Sequence, residues 1–586
     1  MSELTNHFER QSMFKNMKPV PRAIVIGVIA VGAVFAGKAA LQLDFVAKYF
    51  NPKPTIATSV PDKIDIPTTG KSTATTEIGG PVLTGMKTIR VKTLPWNGMS
   101  GALYAQAAGL YKARGLNVEF VREDDYAKMM ADMAAFAKDP SQGVHFVMIM
   151  ADGYPAFKIG ADTALKAVGN TTVRNIAGIG YSRGEDKCIL ADGADVRGSL
   201  IAGYLGDGDI NICIKYAADN GIPINADPKV YNRAAMNFVG TNSFVEADQK
   251  FIASAMKDFK GGACVDLRDS ETGKMVNVCV NGTATWTPGD SNVYGEFAKM
   301  KKSIRVLAST LEYDTQMSTG VIGNNEWMKA NRDTVLAFLA ATLEGGDKVR
   351  TDPAALMIAA GLQAKVTGEQ DASYWASMYN SVSETMPNGK TIRLGGSTTN
   401  GLADAARLFG LNGADNLYKT VYNVYGKIAV KYFPDIMPGG LVKYEDAVDD
   451  SYLRDLLKAA KGPVTPTAVT YSAATTQTFA ARSVSIEFET GKATFTSKAI
   501  AVLNDVLDNA AVTSLNVQIN GHTDKNGDDD ANMELSKARA EAVKKFLMTN
   551  APTSFPAERV QTRGYGETMP IGTDAQNRRV EILLRK

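Results

Sequence analysis

Residues 519–539 read INGHTDKNGDDDANMELSKAR, the end of a strand, an Asp-bearing loop, and then a helix with an arginine on its face. Asp528, Asp529 and Asp530 form a solvated helix entrance, where negative charge suits the positive end of the helix dipole. Leu535, Ala538, Ala542 and Phe546 recur at helical spacing and predict an apolar stripe packed on a sheet, with Arg539 at its margin. Asn532 precedes this stripe, so it reads first as the helix cap and second as a ligand contact. His522 reads as a hydrogen-bonded structural residue, the usual fate of a lone histidine beside a loop.

Further along stand Gly564-Tyr565-Gly566-Glu567 and Asn577-Arg578-Arg579, the latter followed by a strand pattern. In kind and order these segments resemble the OmpA-like peptidoglycan-binding domain, over residues 483–586. The resemblance implies an α/β sandwich and a pocket for the diaminopimelate of the wall's peptide stem, which displays an ammonium and a carboxylate on one carbon. Asp524 would take the ammonium. Arg539, fifteen positions on, would grip the carboxylate through two parallel donors, a geometry lysine lacks. Thr523, Asn532, Arg578 and Phe488 complete the implied peptidoglycan-binding set, with Arg578 alternatively pairing with an acidic neighbour such as Glu567. One departure is visible in VSIEFETGKATFTSKA, where Glu489 stands after Phe488 and family members often have Asp.

At the other end, residues 23–36 read AIVIGVIAVGAVFA, and AALQL extends the run past Gly37-Lys38. The stretch from Ala23 to Leu43 reaches about 30 Å as a helix, roughly a hydrocarbon core, with Lys38 able to snorkel. Arg10, Lys15, Lys18 and Arg22 precede it and favour a cytoplasmic N-terminus. The expectation is a single-pass bacterial inner-membrane anchor with the bulk of the chain in the periplasm; the alternative is a cleaved signal peptide ending near Val34-Phe35-Ala36. No cysteine lies there, which excludes a lipoprotein anchor. The expected order is a cytoplasmic tail over 1–22, an anchor over 23–43, a Pro/Thr/Ser/Gly-rich flexible linker over 44–86, a body over 87–458, a second linker over 459–482, and the wall domain over 483–586.

The 586 residues imply several folding units, and a formal net charge of +2 gives no sign of nucleic-acid binding. Cys264 and Cys279 flank a strand–turn–strand pattern, so a bridge between them is expected, worth about 3 kcal/mol on loop-entropy grounds. Cys188 and Cys213 would be the remaining pair, although sequence leaves the connectivity open. No CxxC or histidine cluster accompanies them, so neither a metal nor a cofactor is expected. Asp207 and Asp209 in LGDGDIN lack calcium-loop spacing; a tight turn with Asp209 capping the next helix is the better reading.

The body opens with KTIRVKTL, the turn PWNGMSG, a helix ALYAQAAGLYKARG and a strand NVEFV, and continues through VHFVMIMA to Asp152-Gly153. This alternation predicts a largely parallel sheet covered by helices. Together with ATWTPGD and ASTLEYD it resembles the type II periplasmic solute-binding fold, in particular its branch for nitrate, sulfonate and thiamine-precursor ligands. That resemblance implies two α/β lobes around a cleft, with a small-molecule ligand held by loops at strand ends. The cleft candidates are Trp96, Asn97, Ser100, Asp152, Trp286 and Asp290; each also has a structural reading, as core aromatic, turn former or helix cap. After about residue 324 the pattern becomes helical, NEWMKANRDTVLAFLAATLEGGDKV being the clearest element, and is expected to brace the first lobe.

Function follows as a non-enzymatic envelope protein with peptidoglycan and the inner membrane as partners, and with sensing or scaffolding as the body's task. A membrane-protein partner and a homodimer are further expectations, the dimer by analogy with paired wall-binding domains. Two alternatives compete, a stator-like subunit of a membrane motor and the substrate-binding component of an ABC-type uptake system. The stator reading lacks a carboxylate between Ala23 and Leu43, Asp44 standing only at the edge. Catalysis finds no support in three scattered histidines, His7, His145 and His522.

Overall fold

The computed structural model describes residues 78–586 apart from 170, 206–207, 463, 468–476 and 490. The expected tail, the anchor over 23–43 and most of the first linker lie outside the described residues. Among the described residues no helix is long and apolar enough to cross a membrane. The described end of that linker is not loose. Ile78 is buried, and its carbonyl accepts a hydrogen bond from Arg114 at 2.8 Å.

Lys87–Thr93 is a strand because Ile89, Val91 and Thr93 alternate inward. It lies between two parallel neighbours, Leu116–Arg122 and Phe146–Met150. FVMIM is buried along its whole length, as a central strand covered on both faces must be. The full order is Ser397–Thr399, Val173–Ser182, Ser318–Asn324, Phe146–Met150, Lys87–Thr93, Leu116–Arg122. Ser318–Asn324 runs antiparallel to both its neighbours, so this first-lobe sheet is mixed. ALYAQAAGLYKARG is not one helix. Gly109 takes a left-handed φ of 75° between Ser100–Ala107 and Leu110–Ala113.

The helical segment after residue 324 divides at Asn331 into Asn325–Ala330 and Arg332–Thr351. Its long part crosses Ser100–Ala107 where both helices carry glycine. A Cβ on Gly101 would come within 2.7 Å of Gly346 Cα, so only glycine permits this close approach.

The second lobe is a six-stranded sheet ordered Ile304–Ser309, Lys187–Ala191, Gly282–Thr285, Leu200–Gly203, Met236–Gly240, Ile224–Asn225. The short segments 183–186 and 310–317 carry the chain between the lobes, and it crosses again to place the hairpin Val382–Thr385/Thr391–Leu394 against the second-lobe core before Ser397–Thr399 rejoins the first-lobe sheet. Disulfides join Cys188 to Cys213 and Cys264 to Cys279. The first pins the helix Gly208–Asp219 to the strand Lys187–Ala191; the second closes the hairpin Cys264–Asp269/Met275–Cys279, in which the two cysteines face each other.

The C-terminal sheet is ordered Thr478–Val484, Val580–Arg585, Asn516–Gly521, Val560–Gly564, with helices Ala499–Ala511 and Asp529–Asn550 packed on it around a separate core. Asn516–Gly521 and Val560–Gly564 are parallel and joined through the long helix. The first strand begins at Thr478, inside the 459–482 stretch read as linker. Thr, Ser and Ala dominate both, so composition marks no edge there.

Candidate functional site

The strand Asn516–Gly521 ends beneath the long helix, and its exit loop presents His522, Thr523 and Asp524. Gly521 is required because a Cβ there would lie 2.0 Å from the Ser536 carbonyl oxygen. The helix packs through Asn532, Ser536, Arg539, Ala540, Val543 and Leu547. This corrects the predicted stripe: Leu535 and Phe546 are half-buried and Ala538 is exposed. Polar residues occupy the packed face because backbone groups wait for them. Ser536 Oγ accepts from the Gly566 amide at 2.9 Å, and Thr523 N donates to the Gly566 carbonyl at 2.9 Å. Hydrophobic periodicity cannot register such a face.

Asn532 is not the cap. Asp528 is, its carboxylate accepting from the amides of Asp530 and Ala531 at 3.1 Å. Asn532 lies inside the first turns and instead ties the site together, donating from Nδ2 to the Asp524 carbonyl (3.3 Å) and to Glu567 Oε2 (2.8 Å). Asp524 Oδ1 accepts from the Asn526 amide at 3.1 Å, and Oδ2 lies 2.5 Å from Arg578 Nη1. Burial pushes this carboxyl up, but the Arg578 and Asn526 hydrogen bonds override it and hold it below its usual range. Arg578 therefore pairs with Asp524 itself, not with Glu567.

Arg539 is 8% exposed, and the charge of Asp524 reaches it. Burial and the charge of Arg578 lower its pKa, against the pull of Asp524. Phe488 backs the guanidinium, whose Cζ stands 4.9 Å from the ring centroid. Arg539 Nε donates to the Lys492 carbonyl at 3.3 Å. Among the described residues, its terminal nitrogens carry no hydrogen bond to protein. Thr523 Oγ1 is likewise buried with no partner among the described residues. His522 stacks on Tyr565 at 5.4 Å, and its Nε2 lies 3.2 Å from Glu581 Oε2. The site thus offers a guanidinium with open donors, a carboxylate nearby, and a half-exposed arginine shared with that carboxylate.

The cleft candidates fall into separate networks. Asp152 accepts from Gln316 Nε2 at 2.7 Å and Asn211 Nδ2 at 3.4 Å, while Tyr425 donates to Gln316 Oε1 at 2.7 Å. Asp290 is fully buried and takes Lys187 Nζ (2.6 Å), Thr287 Oγ1 (2.9 Å) and the Gly395 amide (2.9 Å). Trp286 lies against Phe244, and Trp96 is buried in the first lobe. Asn97 Nδ2 reaches the Trp375 carbonyl at 3.4 Å. Ser100 is the first residue of its helix rather than its cap, which is Met99. Asp209 is also no cap, since its helix already begins at Gly208; it lies close enough to Asp186 to act on that carboxyl.

Glu185 and Asp186 went unnoticed in the sequence, where GEDK looks like an exposed turn. Both are fully buried in the crossing segment 183–186. Burial pushes Glu185 well up, the neighbouring Asp186 adding to it; burial also raises Asp186, against hydrogen bonds from Asp209 and Ser182. Only the topology, by making this turn a crossing between lobes, accounts for their burial.

Residues 487–582 match the OmpA family, so the C-terminal domain is of the OmpA kind. Over 81 residues the chain is 43% identical to the photosystem I chlorophyll a apoprotein A2 of Gloeobacter violaceus, a match covering 12% of this chain and 9% of that protein. It is 34% identical over 154 residues to the probable lipoprotein YiaD of Escherichia coli, covering 25% of this chain and 65% of the relative. The chain thus spans less than two thirds of the length of either relative. Among solved structures, the body is similar to the periplasmic nitrate-binding protein NrtA of Synechocystis, at 8% identity with a TM-score of 0.42, covering 64% of this chain and 89% of that one. That likeness is one of fold alone.

Proposed function

We propose that this chain is a non-enzymatic envelope protein that binds peptidoglycan through its C-terminal domain and carries a two-lobed, solute-receptor-like body in the periplasm. One observation carries the wall-binding reading. Arg539 is buried and backed by Phe488, the charge of Asp524 reaches it, and among the described residues only its Nε, on the Lys492 carbonyl, is hydrogen-bonded to protein. A diaminopimelate carboxylate would fill its terminal donors in a bidentate pair, and the adjoining ammonium would bind Asp524. Arg578, with its side chain 48% exposed, can share Asp524 with the ammonium or turn aside to the stem's other carboxyl groups. Asn532 and Thr523 hold the Asp524 loop in position. On this reading the N-terminal segment anchors the chain in the inner membrane, and the body senses or scaffolds between membrane and wall.

Co-sedimentation of the detergent-solubilised full chain with purified diaminopimelate-type sacculi tests the proposal. Wild type should pellet, whereas Asp524→Ala and Arg539→Ala should stay in the supernatant. Pelleting of both variants at the wild-type level contradicts the assignment.

A further inference from the structure

The C-terminal domain touches both lobes of the body and the segment that joins them. Phe479 inserts its ring between Tyr216 and Tyr313, at centroid distances of 5.9 and 5.8 Å. Tyr216 belongs to the helix that Cys213 bonds to the second lobe, and Tyr313 lies in the crossing segment 310–317. Ser514 holds that segment directly, its amide donating to the Glu312 carbonyl at 3.1 Å and its hydroxyl to the Leu311 carbonyl at 3.0 Å. Lys586 pairs with the Glu312 carboxylate at 2.5 Å, and the same carboxylate accepts from the amide and hydroxyl of Ser309. On the first lobe, Asp415 receives the Ser554 amide at 2.7 Å and gives its own amide to Thr553 at 2.9 Å. Val512 is buried within the body's own core.

A relative rotation of the lobes must be taken up in the segments that cross between them, 183–186, 310–317 and those flanking the hairpin Val382–Thr385/Thr391–Leu394, which packs with the second-lobe core before Ser397–Thr399 rejoins the first-lobe sheet. One of these is fastened to a domain that also grips the lobe on either side. The same domain's strands run back to the wall site. Asn516–Gly521 leads from Ser514 to the Asp524 loop, and Val580–Arg585 leads from Arg578 to Lys586. We infer that opening of the two lobes and undocking of the wall-binding domain are one coupled equilibrium, so that mechanical or chemical engagement of the wall biases the receptor cleft. This rests on the receptor-like reading of the body and adds a means of regulation to it. Linkage is reciprocal. Whatever loosens the dock opens the lobes, and whatever opens the lobes loosens the dock.

Distances between exposed labelled positions in the full chain test this. Lys138→Cys with Glu271→Cys spans the lobes, and Lys138→Cys with Lys545→Cys spans body and C-terminal domain; single-molecule energy transfer reads each. In the dock variant Phe479→Ala/Lys586→Glu, both distances should spread from one population to two or more. A second variant, Tyr204→Ala, removes a ring that meets Tyr126 of the other lobe at 5.8 Å, and loosens the cleft without touching the dock. It too should spread both distances. A dock variant that spreads only the body-to-domain distance overturns the coupling, as does one that leaves the domain in place. If Tyr204→Ala moves the lobes while the dock variant does not, the coupling fails and the receptor reading stands. Lobes fixed in both variants overturn the coupling and the receptor reading together.

Discussion

Replacing Asp248 by Asn should flatten the stability of the second lobe against pH. Asp248 lies on the helix Phe244–Ala255 and faces the sheet, where Thr283 and Thr285 donate hydroxyl bonds to its two oxygens at 2.9 and 2.8 Å. Among the described residues no cation offsets it. Burial pushes its pKa up to about 7 against those two hydrogen bonds, and the nearby Asp290 adds to the rise. The native state therefore keeps a proton that the unfolded chain releases near the ordinary aspartate value of about 4. Between these values the folded form binds more protons, so stability falls as pH rises, by up to about 1.4 kcal/mol per unit. From pH 5 to pH 8 this single group removes roughly 2.5 kcal/mol. Glu185 and Asp186 slope the same way, so the difference between wild type and variant isolates Asp248. Asn keeps an acceptor for one threonine and offers a donor to the other, and it does not titrate. Urea unfolding followed through tryptophan fluorescence at pH 5, 6, 7 and 8 should show the wild-type stability descending more steeply with pH than that of Asp248→Asn. Parallel curves would refute the reasoning.

Two further perturbations separate binding from stability. Arg539→Lys keeps the charge but loses the fork, so the affinity for sacculi should fall by about 1–3 kcal/mol, roughly five- to 150-fold, with the melting temperature nearly unchanged; equal affinity would deny Arg539 a bidentate ligand. Arg559→Leu should do the opposite. The side chain is buried and serves the carbonyls of Ala510, Thr513, Leu515 and Ser554, so its loss should cost the C-terminal domain at least about 3 kcal/mol in a denaturant titration, and a change below about 1 kcal/mol would show that water replaces it.

How legible these features are depends on what kind of signal each one leaves. The strands Lys87–Thr93 and Phe146–Met150 follow directly from alternation and from an unbroken apolar run, because side-chain period and burial coincide there. The face of the helix Asp529–Asn550 does not. Its packed positions include Asn532, Ser536 and Arg539, of which Asn532 bonds Glu567 and Ser536 the backbone of Gly566, so a hydrophobicity pattern points to the wrong stripe. The residues of the proposed wall site were readable only as a motif. Even so, the motif does not contain the pairing of Arg578 with Asp524, which depends on the last strand returning beside Asn516–Gly521. The cap shows a similar limit: three successive aspartates all suit a helix entrance, and only the extended backbone of Asp528 selects it. Glu185 and Asp186 lie beyond any local pattern, since their burial comes from two distant segments crossing between the lobes.

The most direct measurement is calorimetric titration of the full chain with a soluble muropeptide bearing meso-diaminopimelate, against the same muropeptide bearing L-lysine. The two stems share the side-chain ammonium and differ in the carboxylate beside it, the group assigned to Arg539. The diaminopimelate stem should bind, the lysine stem should bind at least tenfold more weakly, and Arg539→Ala should show no preference. Equal affinity of wild type for both stems would contradict the assignment.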